Sequence, residues 1–492
     1  MALSLLKNQW FLRGFKQSHL MIRSKSAEID SGTVFLLLII VVVTFAAGIF
    51  ITRVSTGIAF LMIFAFIIAV ASFLSAEFAL YALIISMLLS PEFMVGGLTG
   101  GGTTSGRGVT LRLDDILLII IGFSWFLRTA VKKELGLFLR TSLNRPIAYY
   151  FLICLIATLL GFMMGRVKGL TGLFFVLKYF EYFIVYFMVV NNLRDKRQIE
   201  RFVTVMLIVC FVVCLVSIAQ IPGGGRVTTP FEGEMGEPNT LGGYLILMLS
   251  ITLGLLLTYG LKQRKLFFAV LTVFIIVSLA ATLSRSSWVS LVPMLITLIY
   301  FSKRKMIIIV PLIVMILLTP FFMPTAVKER ALFTFTQSRE MGQMEIGGAR
   351  IDTSTSARLT SWKIVLTRDF IKHPILGYGV TGYHFLDAQY PRVLAETGVV
   401  GLVFFGWLLM EIFKNALYAY RNTSDPLFSG LSLGYLAGFL AMLVHAIGAN
   451  TFIIVRIMEQ FWFLTAIIIM IPTIEAEELK TKAESGELRA ES

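Results

Sequence analysis

Two stretches near the start of the chain, Thr33 to Ile51 and Gly57 to Leu74, contain no charged residue. Each is close to the ~20 apolar residues with which a helix crosses about 30 Å of hydrocarbon. Runs of the same kind recur to the end of the chain. A backbone in hydrocarbon must satisfy its own hydrogen bonds, and a helix does so within one segment. The pattern therefore predicts an all-α polytopic integral membrane protein, with about 12–14 transmembrane helices. Of the 492 residues, 57% are hydrophobic and only 15% are charged, against about 25% charged in a globular average.

Spans are expected to start near Thr33, Gly57, Ala76, Asp115, Pro146, Thr171, Phe202, Thr240, Leu266, Ser286, Met306, Gly398, Pro426 and Thr451. A tight turn near Ser75 divides the second from the third; one long interfacial helix would be the alternative there. The expected organisation is a basic cytoplasmic segment over 1–32, transmembrane helices 1–11 over 33–323 and a large extracytoplasmic loop over 324–397. Helices 12–14 then fill 398–472, and an acidic, mobile cytoplasmic tail covers 473–492.

Loop charge orients the bundle. With the N-terminus inside, the inner loops hold clusters such as Lys132, Lys133, Arg140 and Arg145, or Lys303, Arg304 and Lys305. The short outer loops hold less than half as many basic residues, among them Arg53, Arg107, Arg112, Arg166, Lys168, Arg226 and Arg285. Short loops are where a Lys/Arg excess marks the cytoplasmic side, so both termini are expected in the cytoplasm. The formal charge of +14 punctuates apolar runs instead of forming one stripe. It is read as topology, with no nucleic-acid partner.

Ionisable groups at membrane depth are expensive and usually functional. Lys178 and Glu181, at i and i+3 in the sixth span, either lock helices together as an ion pair or line a polar cavity that takes an anion. Arg456, Glu459 and Gln460 read as an interfacial anchor or interhelical set, and Asp114 and Asp115 as helix-start residues. His445 and Asn450, late in the thirteenth span, are either hydrogen-bonded structure or function. Cys154, Cys210 and Cys214 lie in apolar runs and read as core packing.

The outer face is rich in cations. Arg285, Arg358 and Arg392 facing one cavity would suit a phosphate or diphosphate, whose oxygens a guanidinium binds in pairs; contact with lipid headgroups is the blander reading of each. Asp387, Tyr390 and Glu396 follow the Gly377-Tyr378-Gly379 turn. The long loop is also expected to hold an amphipathic helix over Ser361 to Lys372. There is no G-x-x-x-x-G-K-[ST] run and no His/Cys/Asp metal set. No cofactor and no metal are therefore expected, and an enzyme of this kind would use a substrate that arrives already activated.

Four segments together resemble the O-antigen ligase and polymerase superfamily of polytopic bacterial glycosyltransferases. They are Glu237-Pro238-Asn239-Thr240-Leu241-Gly242-Gly243-Tyr244; Thr282-Leu283-Ser284-Arg285; Arg358 to Trp362 followed by His373-Pro374-Ile375-Leu376-Gly377-Tyr378-Gly379; and Leu394-Ala395-Glu396-Thr397-Gly398-Val399-Val400-Gly401-Leu402. Their order and spacing around one large loop carry the resemblance, which covers roughly residues 230 to 405. It implies a bacterial or archaeal cytoplasmic membrane and a donor glycan on a polyprenyl diphosphate. It implies transfer to a glycan or lipid acceptor, as in polysaccharide biosynthesis.

By that resemblance, Arg285 and Arg358 hold the diphosphate, while Glu237 and Asn239 shape the cavity mouth. The family's loop His-Asn pair falls here on Asp387 and Ala388. Asp387, or His384 three residues earlier, is the expected base, and the departure leans toward a polymerase over a ligase. Tyr390, Arg392 and Glu396, with Lys178 and Glu181, complete the expected substrate-binding set. The competing class is a transporter or flippase for a lipid-linked or anionic solute, which would place its key charges at the bilayer midplane. A non-catalytic assembly scaffold is a third reading.

Overall fold

The computed structural model describes residues 66–94, 110–131, 140–169, 171–231, 236–258, 262–322, 324–338, 340, 343–346 and 349–484. The basic segment 1–32, the first span, nearly all of the second and the Gly/Thr-rich loop over 96–109 lie outside the described residues. Residues 68–492 form one compact unit.

Among the described residues, fourteen α-helices from Ala76 onward organise that unit. They are α1 (Ala76–Leu89), α2 (Leu113–Val131), α3 (Asn144–Met163), α4 (Thr171–Asn192), α5 (Lys196–Gln220), α6 (Pro238–Thr258), α7 (Lys262–Ala281), α8 (Arg285–Phe301), α9 (Met306–Phe322), α10 (Thr325–Thr336), α11 (Thr353–Ile364), α12 (Gln389–Asn422), α13 (Pro426–His445) and α14 (Val455–Glu484). Two short antiparallel ribbons accompany them, β1 (Glu92–Met94) with β2 (Thr110–Arg112) and β3 (Glu345–Ile346) with β4 (Ala349–Arg350). The chain is helical up to Leu74, breaks at Ser75, and restarts with the Ser75 hydroxyl accepting from the Phe78 amide at 3.2 Å. The turn expected there is present.

Each of the twelve spans expected from Ala76 onward has its helix. Among the described residues, eight helices are long and apolar enough to cross a membrane; α1, α8 and α9 are shorter apolar helices. The outward faces of the helices are apolar. Helix α8 exposes Val289, Val292, Ile296 and Tyr300 and buries Ser287, Ser290 and Thr297. A stripe of that kind is stable only against lipid.

At the centre, α6 and α13 touch along their backbones. A Cβ on Gly254 would meet the Gly430 carbonyl oxygen at 2.3 Å, and one on Gly434 the Ser250 carbonyl oxygen at 2.6 Å. Gly430, Gly434 and Gly438 sit at every fourth position of α13. Small residues at that spacing let two membrane helices approach closely enough for dispersion to hold them. Trp462 of α14 packs edge-on against Phe183 and Tyr186 of α4, with ring centroids 4.9 and 5.6 Å apart.

The helical run over Gln389–Asn422 is two helices joined across a kink at Gly398, at φ 67° and ψ −167°, where a Cβ would fall 2.2 Å from the Ile375 carbonyl oxygen. The second of them starts at that kink, where the span is expected, and the stretch before it buries Arg392 and Glu396 as a pair. Two expectations are corrected. The loop helix starts at Thr353, not Ser361, because Asp352 caps it. The tail from 473 is helical as far as Glu484, since α14 continues without interruption.

Candidate functional site

The tight turn between α7 and α8 builds the first cluster of charge. Leu283 sits at φ 49°, a left-handed conformation that costs a non-glycine residue about 1–2 kcal/mol. The next residue, Ser284, caps α8 by accepting from the Ser287 amide. The turn leaves two carbonyls pointing away from any helix ladder. Thr282 O accepts from Arg226 Nε at 3.0 Å, and Leu283 O accepts from an Arg226 terminal nitrogen and from Arg330 Nε, both at 3.4 Å.

Arg285, the first residue of α8, donates from both terminal nitrogens to Asp352, at 2.7 and 2.8 Å. The Asp352 carboxylate also accepts from the Ser354 and Thr355 amides and so starts α11. Against the cost of its burial, the Arg285 fork and the Thr355 hydrogen bonds hold its carboxyl down at about 2. One and a half turns into α11, Arg358 donates to Asp387 at 2.8 Å, while its Nε is buried without a hydrogen-bond partner among the described residues. Trp362 packs near Tyr390, with ring centroids 6.3 Å apart.

Four arginines thus come within electrostatic range of one another. Burial, and then the charges of Arg330, Arg285 and Arg358, push the Arg226 guanidinium down to about 10; Glu237 works in the other direction. Arg330 is lowered by burial and by Arg285 and Arg358, with Asp352 opposing. Asn239 joins from α6: its side-chain oxygen accepts from Ser284 Oγ at 2.8 Å. A hydrogen-bonded row continues through Ser287 to His445 Nε2 at 3.1 Å, and from His445 Nδ1 to Thr451 at 2.7 Å. His445 is fully buried, so its place is in the row that positions Asn239 and the α8 cap.

Of the sequence-predicted residues, Arg285, Arg358, Asp387, Asn239 and Glu237 meet in this cluster. Tyr390 lies at its edge, with its hydroxyl on the Leu443 carbonyl at 2.6 Å. Arg392 and Glu396 do something else. They pair at 3.1 Å, Glu396 accepts from the Thr381 amide, and the Tyr378 and Gly379 amides bond to the carbonyls of Ala395 and Glu396. They stitch the glycine turn onto α12. His384 belongs to a third group, its ring 3.9 Å from that of Tyr383. There Asp369 accepts from Arg368, Lys372 and Tyr383 and is held well below the usual carboxylate range by those hydrogen bonds. Burial pushes His384 down as well.

Lys178 and Glu181 sit in a separate buried cluster. Lys178 pairs with Asp115 of α2 and, at 3.5 Å, with Glu181. Arg112 reaches Asp114 at 3.1 Å and Asp115 at 3.5 Å. Glu459 of α14 lies within electrostatic range, with both oxygens buried and without a hydrogen-bond partner among the described residues. Arg456 donates to the carbonyls of Leu88, Ser90 and Pro230. The Lys178–Asp115 pair ties α4 to α2, and Arg456 ties α14 to the end of α1 and to Pro230. Among the described residues, no three His, Cys, Asp or Glu side chains converge as metal ligands.

Sequence reasoning missed Arg330 and Asp352 and read Arg226 only as a loop charge. The Asp352-Thr353-Ser354-Thr355-Ser356 run carries a helix-start signal. Arg226 and Arg330 have no such signal, because tertiary folding alone brings them to the Leu283 carbonyl. A model of the O-antigen ligase family matches residues 268–406, which include Arg285, Arg330, Asp352, Arg358 and Asp387 and leave out Arg226, Asn239, Lys178 and His445. No curated protein matches the chain.

Proposed function

From a chain that carries an O-antigen ligase domain, we propose a membrane glycosyltransferase that takes its glycan from a polyprenyl-diphosphate carrier at the outer face of a bacterial or archaeal cytoplasmic membrane. It extends or ligates that glycan, with the departure at Asp387 favouring extension. The observation that carries this reading is the convergence of Arg226, Arg285, Arg330 and Arg358 beside Asp387. A diphosphate carries charge on several oxygens, and clustered guanidiniums are the side chains that match such a group. The guanidiniums supply the positive charge, so the proposed reaction calls for no metal or cofactor.

In the step itself, the acceptor hydroxyl oxygen attacks the anomeric carbon of the donor glycan. The bond from that carbon to the phosphate oxygen breaks, and its electron pair leaves on the polyprenyl diphosphate. The arginine cluster stabilises that developing charge. The acceptor proton passes to the Asp387 carboxylate, which Arg358 positions. His384 would serve as the base only if its ring left Tyr383. Both cations among the sequence-predicted charges of the membrane interior, Lys178 and Arg456, are engaged in packing contacts, so the transporter reading draws no support from them.

The test is to give the purified protein a polyprenyl-diphosphate oligosaccharide. Release of the carrier diphosphate together with a longer or transferred glycan is expected. A folded protein that moves the intact lipid-linked glycan across vesicles but never cleaves it would favour the flippase.

A further inference from the structure

Resting on that reading, we propose that Arg285 is a positioning residue and that Arg226 and Arg330 join Arg358 as the residues that grip the diphosphate. The sequence motif points to Arg285 as a ligand of the phosphate; the contacts around it point elsewhere. Both terminal nitrogens of Arg285 are spent on Asp352, whose side chain is 1% exposed. Asp352 has a second task in starting α11 through the Ser354 and Thr355 amides. Turning Arg285 toward a phosphate would strand a buried carboxylate, which is the costly way to break such a pair. The pair is a latch. It fastens the first turn of α11 to the first turn of α8, and α11 carries Arg358 and Trp362.

Arg226 and Arg330 are built differently. Each is held by its Nε on the α7–α8 turn, Arg226 on Thr282 O and Arg330 on Leu283 O. Both terminal nitrogens of Arg330 and one of Arg226 have no hydrogen-bond partner among the described residues. The buried Nε of Arg358 likewise has none. The turn therefore fixes the stems of two guanidiniums and leaves donor nitrogens for a ligand. The like charges repel one another, and burial with that repulsion holds Arg226 at about 10. A multivalent anion would relieve the repulsion, so the cluster favours one. A lone phosphate monoester would satisfy fewer of these donors than a diphosphate.

The test uses the full-length protein in detergent and inorganic pyrophosphate as the probe. Arg226→Gln and Arg330→Gln should each weaken pyrophosphate binding about tenfold or more, as expected for a lost charge-assisted hydrogen bond. Hydrogen exchange in α11 should not change in either variant. Arg285→Gln and Asp352→Asn should share a different signature: α11 exchanges faster, binding weakens through the displaced Arg358, and the double variant is no worse than either single one. The assignment is overturned if Asp352→Asn tightens pyrophosphate binding, because that would mean a released Arg285 is a ligand. It is also overturned if wild-type binding survives loss of both Arg226 and Arg330. Folded wild-type protein that binds no pyrophosphate would instead sink the diphosphate reading itself.

Discussion

Two clusters of charge in this molecule use similar residues to opposite ends. Among the described residues at the α7–α8 turn, Arg226, Arg285, Arg330 and Arg358 outnumber the carboxylates Asp352, Asp387 and Glu237, and several donor nitrogens have no hydrogen-bond partner. Among the described residues around Lys178, the carboxylates Asp114, Asp115, Glu181 and Glu459 outnumber Arg112, Lys178 and Arg456, and most of the group is buried, with Lys178 and Glu181 partly so. Charge inside a membrane bundle is therefore not in itself a mark of chemistry. A buried group whose cations are all engaged works as a fastener. A cluster with cationic donors left over at the end of the bundle can receive a ligand.

This contrast can be broken by exchange of the expected phenotypes. Arg358→Ala should cut glycan transfer by about a hundredfold or more, the scale on which removing a preorganised donor at developing charge is felt, with thermal stability close to wild type. Lys178→Met should do the reverse. It leaves Asp115 with Arg112 alone and takes the ion-pair partner from Glu181, so stability should fall by up to about 3–5 kcal/mol, while turnover per folded molecule stays near wild type. Denaturation and turnover assays on the two variants decide this. A stable Lys178→Met protein with no turnover would move the reaction to the buried cluster.

Smaller effects sharpen the same line. The Asp352 carboxyl is held at about 2, below its ordinary 3.8. A lowered carboxylate pKa contributes stability that is complete above the ordinary value and is lost as pH falls through the lowered one. Docking of α11 should therefore persist at pH 4 and fail toward pH 2, read as hydrogen exchange in α11; docking unchanged at pH 2 would contradict the latch. The smallest expected change is with salt. Raising ionic strength from 0.05 to about 0.5 M shortens the screening length. Pyrophosphate affinity should fall several-fold, while the stability contributed by the Lys178 cluster changes little.

The helices were legible because hydrocarbon imposes one rule on every span, and apolar runs report it directly. The helical stretch ahead of the Gly398 kink was hidden because its polar residues, Arg392 and Glu396, are buried as a pair. One boundary failed where a cap went unread, at Asp352. The motifs found Arg285, Arg358 and Asp387, which the fold brings to one place. They could not separate a latch from a ligand, since that distinction lies in which nitrogens are already occupied. Arg226 and Arg330 reach the site through the strained Leu283 turn, a feature of backbone geometry that residue type does not announce.

The central claim is that the cluster holding Arg358 and Asp387 is where the carrier diphosphate is cleaved from the glycan. The direct measurement is the rate of polyprenyl-diphosphate release from a lipid-linked oligosaccharide by wild-type, Arg358→Ala and Asp387→Asn proteins of equal thermal stability. The account predicts release by wild type and a loss of about a hundredfold or more in each variant. Release at the wild-type rate by either variant would contradict it.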